Sequence, residues 1–301
     1  MLRELRSCCL PFAFLAGSLP EFLDELTSAL AHRKSDYLEL VSPTYLENWP
    51  SSLSDLSIRQ AGIALTPSEV TTLGVLNGIY THRFKQQDAY AEETLRAKLA
   101  TLLEPFQQGA FVRLGSRSTK DTHLGLLTGG FCTNAEAALR LLTNGSHRLA
   151  FDLGLARQTH YAPYVFAREW LAIESWMELR CFMRERRLIG MSQYHFGSLE
   201  AGTMLHGQIG QVLASMASFF PTFRDACHLD TVVFDVALRV DSKAAINTIL
   251  IEINPWIPQT QPCLFSWESD GDFDCSLRYI RSNQGNQEGV RVFFDSVECS
   301  R

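Results

Sequence analysis

The chain has 301 residues, 46% hydrophobic and 20% charged, which suits one large or two modest globular domains around a substantial core. A formal net charge of -6, with the main basic cluster, Arg184 to Arg187, short and turn-like, argues against a nucleic-acid surface. Eight cysteines without metal-ligand spacing point to reduced thiols and a cytoplasmic protein, and no apolar run approaches the roughly 18 residues that cross a bilayer.

The first residues mimic a signal peptide, but Glu4 sits in the would-be basic region and Pro11 interrupts a short apolar run. Three helix starts are legible as capping boxes: Ser18 with Glu21, Thr66 with Pro67 and Glu69, and Thr133 with Glu136. Further helices are predicted over 88–103 and 204–220. Between and after them lie strand-like runs: 110–115, 164–173, 176–183, 187–196, 231–240 and 247–255. After Ser266 the chain turns polar, which predicts an irregular tail. The expected division is an N-terminal extension with one helix (1–35), a two-lobed domain (36–270) and a polar C-terminal tail (271–301).

Several suggestive residues read blandly. The eight histidines show no metal spacing, and His160, His195 and His206 read as surface or hydrogen-bonded side chains. Thr128-Gly129-Gly130 lacks the lysine of a phosphate loop and reads as a turn, and the sequon at Asn144 is a chance match in a cytosolic chain.

Side chains alternate in a strand, so Met177, Leu179, Cys181 and Met183 form an apolar face that leaves Trp176, Glu178, Arg180 and Phe182 on the other. In the last predicted hairpin, Asp235 lies opposite the row of Val232, Phe234, Val236 and Leu238. In the partner strand Ile249, Ile251 and Ile253 share one face, Glu252 and Asn254 the other. A turn centred on Lys243 and Ala244 sets Asp235 across from Glu252, so three oxygen donors converge: Asp235, Glu252 and Asn254. Such a trio suits magnesium, a hard cation that binds through one or two carboxylates and substrate phosphates. A solvated sheet face, polar simply because it meets water, explains the same alternation.

Taken in order, "FVRLGSRSTKD" from Phe111, "REW" from Arg168, "MELRCFMRERRLIGMSQY" from Met177, "FDVAL", "IEINPW" and "CLFSWE" resemble the cell division cycle protein 123 family, within the ATP-grasp superfamily. The resemblance runs from about Tyr37 to Glu268. It implies an α+β, ATP-grasp-like fold whose two lobes, built on antiparallel sheets, enclose a nucleotide site. It also implies magnesium on Asp235, Glu252 and Asn254, and ATP contacts from those three and from Arg113, Lys120, Asp121, Arg168, Trp170, Glu178 and Gln193. Arg113 falls on a phosphate-binding lysine of the family, and "RLGSR" replaces its lysine-leucine-asparagine-tryptophan-serine. Arginine keeps the charge but forks onto two oxygens where lysine offers one point.

Two functions follow from this resemblance. The first, favoured because the altered loop argues against strict retention of the family's task, is an ATP-grasp ligase. It would join a carboxylate to an amine or other nucleophile through an acyl phosphate, with Arg180 as a catalytic residue on the transferring group. The second is an ATP-binding assembly factor, a chaperone for eukaryotic translation initiation factor 2 or a similar protein complex. The partners implied are ATP, magnesium and either a carboxylate and amine pair or a protein, with no nucleic acid and no membrane.

Overall fold

Strand periodicity sorts ten strands into two sheets in the computed structural model, which describes residues 33–79, 81, 84, 88–120, 122–268 and 272–294. The chain enters through α1 (helical over the described residues 33–41) and the short turn α2 (Ser51–Ser54). The helix start read at Ser18 lies outside the described residues.

The first sheet has the order β1-β4-β2-β3, with β1 Gln60–Ala64, β2 Ala110–Leu114, β3 Phe131–Cys132 and β4 Tyr164–Glu169, all antiparallel. One face takes Val112, Leu114, Val165 and Ala167 into a core with Leu95, Leu99, Leu142 and Leu149. Those leucines come from α4 (Ala89–Leu103), α6 (Ala135–Thr143) and α7 (His147–Thr159), beside α3 (Pro67–Asn77) and the short α5 (His123–Thr128). Thr66 and Glu69 cap α3 reciprocally, as the sequence predicts. The cap of α6 is Asn134, one residue after the expected Thr133, because its side chain accepts from Ala137 N. Phe111, Arg113, Phe166 and Arg168 alternate with the buried row of this sheet, so they point to its other face.

The second sheet has the order β10-β9-β6-β5-β7-β8 and is antiparallel except where β6 meets β9. Its strands are β5 Glu178–Arg184, β6 Arg187–Gln193, β7 Val232–Val240, β8 Ile246–Asn254, β9 Ser276–Asn283 and β10 Asn286–Phe293. Leu179, Cys181, Met183, Phe234 and Val236 face α8 (Leu199–Gly207) and α9 (Ile209–Ala226), as the alternation predicts. The single helix expected over 204–220 is thus two, broken at Gln208. Phe223 of α9 stacks on Phe234 with ring centroids 4.1 Å apart, both fully buried. Truncating either to alanine costs about 3–5 kcal/mol.

Three expectations are corrected here. Over the described residues 272–294 the tail is not irregular: β9 and β10 form a hairpin turned at Gln284 and Gly285, both at positive φ. It reads as polar because β10 is an edge strand that meets water on alternate residues. Trp176 does not share the face of Glu178; it sits in a 3-10 turn (Ser175–Met177) and joins the helix-covered core. In β8 the apolar face is Leu250 and Ile253, not Ile249, Ile251 and Ile253, because a bulge interrupts the alternation.

Candidate functional site

The uncovered faces of the two sheets meet, and the polar side chains of both lie between them. From the second sheet come Glu178 and Arg180 on β5, Asp235 on β7, and Glu252 and Asn254 on β8, where Asp235 pairs with Arg180 on one side and Glu252 on the other. The first sheet contributes Arg113 and Arg168, and the loop after β2 contributes Lys120.

Each charge has a partner of opposite sign or a close polar neighbour. Arg180 forks onto Asp235 through Nε at 2.8 Å and Nη2 at 2.7 Å, donates Nη1 to the Gln261 carbonyl at 2.8 Å, and stacks on the Tyr194 ring. Arg113 donates Nη1 to Glu252 Oε2 at 2.5 Å, which links the two sheets. Lys120 Nζ lies 3.6 Å from Glu178 Oε2, a second link, and His195 Nε2 lies 3.1 Å from the same oxygen. Asn254 Nδ2 donates to Asp235 Oδ2 at 3.2 Å and Glu252 Oε1 at 3.4 Å, so the trio read from the sequence converges.

Burial and neighbours set the protonation of these groups. Burial penalises the Glu252 carboxylate, but the charge and hydrogen bond of Arg113 outweigh it and hold the group well below the usual range. At Asp235 burial wins over Arg180, aided by the like charges of Glu252 and Glu178, and pushes the carboxyl up to about 6. Burial would also raise Glu178, yet the hydrogen bond to His195 and the charge of Lys120 lower it. Arg168 is nearly inaccessible, donates Nη2 to Ser57 Oγ at 2.7 Å, and has no hydrogen-bond partner for Nε among the described residues. Desolvation, then the charge of Arg113, brings its pKa down to about 9. A buried cation so poorly matched favours an anion beside it.

Two expected site residues stand apart. Gln193 pairs with Leu179, on the helix-covered face, because a register shift between Phe182 and Met183 moves the pairing, and Ser192 is the residue opposite Arg180. Its amide is spent on backbone: Nε2 on the carbonyls of His195 and Ser198, Oε1 on Ile280 N. Trp170 packs edge-on against Phe131, 5.2 Å between centroids, at the border of the first sheet. Asp121 lies outside the described residues. Sequence reading passed over Ser57, Tyr194 and Glu47. Tyr194 carried a signal through the family segment that ends on it, and Glu47 lies in "PTYLENW", a stretch that also resembles the family.

The donor set fits a hard cation in type, being two carboxylates and an amide. Among the described residues no group of three or more His, Cys, Asp and Glu side chains could hold a metal, so the trio depends on Asn254 for its third donor.

The D123 family model matches residues 81–292. The chain belongs to this family. A translation initiation factor eIF2 assembly protein from Sclerotinia sclerotiorum is 27% identical over 232 residues, which are 70% of this chain and 55% of that relative. Its counterpart from Schizosaccharomyces pombe is 30% identical over 174 residues, 53% of this chain and 51% of the relative. The chain thus spans about half the length of these curated relatives. The structure of Cdc123 from Schizosaccharomyces pombe superposes with a TM-score of 0.60 at 24% identity, over 75% of this chain and 88% of that one, which shows the ATP-grasp-like fold. The ligase expectation is overturned by these relatives: they are named as assembly proteins, which is the other of the two readings. Arg180, expected to act on the transferring group, is engaged by Asp235, Gln261 and Tyr194.

Proposed function

We propose that this chain is an ATP-binding assembly factor for eukaryotic translation initiation factor 2 or a similar multi-subunit complex. The observation that carries the reading is membership of the D123 family together with the names of its relatives. The geometry between the sheets supports the nucleotide part. Arg113, Arg168 and Lys120 present three cations from the first lobe, and Arg168 lacks a carboxylate of its own, so a polyphosphate finds charge that the protein leaves partly unanswered.

Asp235, Glu252 and Asn254 would hold magnesium, which when bound neutralises phosphate charge. The chain's own residues do the positioning. Arg180 fixes Asp235, and the bulge in β8 brings Glu252 to the same face. The two cross-sheet ion pairs join the lobes at the site, so occupancy there acts on how the lobes are held, and through them on a protein partner.

The test is capture of separately purified eIF2 subunits by the immobilised chain, with and without MgATP, beside calorimetry of ATP alone. Capture of one subunit, strengthened by MgATP, is expected. Capture of none at micromolar concentrations, or no heat with ATP, would overturn the corresponding half of the reading.

A further inference from the structure

Glu252 serves two partners that exclude one another. It stands with Asp235 and Asn254, whose Nδ2 donates to Oε1 at 3.4 Å, and it is the partner of Arg113 on the opposite sheet, with Oε2 2.5 Å from Nη1. The Arg113 side chain is held out of water at 6% exposed and that of Glu252 is partly buried at 20%, so solvent does not readily take the place of Glu252 on Arg113. A divalent cation on Glu252 would stand beside the guanidinium with little water between them, and like charges repel strongly there. The other cleft carboxylates are already engaged, and one more, Glu47, lies within the field of Arg113. Asp235 is forked by Arg180, and Glu178 takes Lys120 and His195. Glu47 accepts the Tyr161 hydroxyl on Oε1 and has no hydrogen-bond partner for Oε2 among the described residues, but it makes no ion pair with Arg113, whose partner is Glu252.

We infer that the Arg113–Glu252 pair is a latch that withholds Glu252 from a divalent cation until a polyphosphate takes Arg113 away, so that nucleotide precedes metal. The identity of what takes Arg113 rests on the nucleotide reading above. That Arg113 withholds Glu252 does not, since it follows from the pair itself. The second cross-sheet pair, Lys120 with Glu178, opens to the same ligand, because Lys120 is half exposed and its 3.6 Å contact is loose.

Manganese, followed by electron paramagnetic resonance, probes the metal half directly. In wild type, Mn2+ alone binds weakly. In Arg113→Met, which keeps an apolar stem, Mn2+ alone binds at least tenfold tighter than in wild type. Unchanged Mn2+ affinity in a folded Arg113→Met overturns the latch. A second variant covers the case in which Arg113→Met does not fold: with metal removed by chelator, Glu252→Gln frees Arg113 and binds ATP at least threefold tighter than wild type, and equal or weaker binding overturns the latch. If no form binds ATP while Arg113→Met still gains Mn2+, the withholding stands and the nucleotide reading is the part that fails.

Discussion

Asp235 and Glu252 face each other across β7 and β8 because Ile251 is an extra residue. Val236 pairs with Leu250, and the next pair is Asp235 with Glu252. Without that bulge Asp235 would meet Ile251, and Glu252 would pair with Phe234, inside the helix-covered core. One residue of slip therefore decides whether a carboxylate lands in a charged cleft or in a hydrophobic one.

The Arg180–Asp235 fork is the most buried ion pair of the cleft, with side chains 6% and 1% exposed. Breaking it from one side strands a charge away from water. Asp235→Leu or Arg180→Met should each lower unfolding free energy by about 3–5 kcal/mol, and the double variant Arg180→Met with Asp235→Leu by less than their sum. Urea unfolding of the four forms measures this. Additive losses would show that the two side chains act independently.

The proposed nucleotide site assigns Arg113 to the phosphates and not to the base. Arg113→Ala should weaken ATP at least tenfold while changing adenosine little, because only the phosphates lose a charged partner. Calorimetry with both ligands decides it: equal losses would make Arg113 a structural arginine.

Gly115 and Glu47 form a steric pair behind the loop that follows β2. A Cβ on Gly115 would stand 1.6 Å from Glu47 Oε2, and the other oxygen of Glu47 is held by the Tyr161 hydroxyl at 2.8 Å. Gly115→Ala should cost about 1–3 kcal/mol by overpacking, and Glu47→Ala in the same chain should restore most of it. A double variant no more stable than Gly115→Ala would refute the clash.

Alkaline stability should fail through tyrosines. Burial, then the charge of Asp152, raises Tyr45 far above its ordinary 10.0; burial, then Glu47, does the same to Tyr161. Both stay neutral in the folded chain at pH values where the unfolded chain loses their protons. Their contribution is complete below pH 10 or so and is lost as pH rises beyond it. Unfolding free energy should fall between about pH 10 and pH 11, with a shallower slope in Tyr45→Phe. An unchanged slope in that variant would remove Tyr45 from the account.

The sequence by itself determined which strands exist around the cleft, which face of β5 and β7 is apolar, and the cap of α3. These follow from periods of two and from local capping, which need no distant contact to be expressed. The turn expected to centre on Lys243 and Ala244 is centred on Lys243, and the bulge at Ile251 is what restores Asp235 to Glu252. Tertiary structure alone decided the rest. The bulge at Ile251 is the extra residue of a pairing, so no property of residues 246–254 taken singly announces it. The register shift beyond Phe182, which gives the site face to Ser192 and sends Gln193 to the backbone of β9, is of the same kind. The hairpin of β9 and β10 looked like polar tail because an edge strand shows half its residues to water. The pairing of Arg113 with Glu252 joins residues 139 positions apart on different sheets, a contact made by the docking of two cores and by nothing local to either strand.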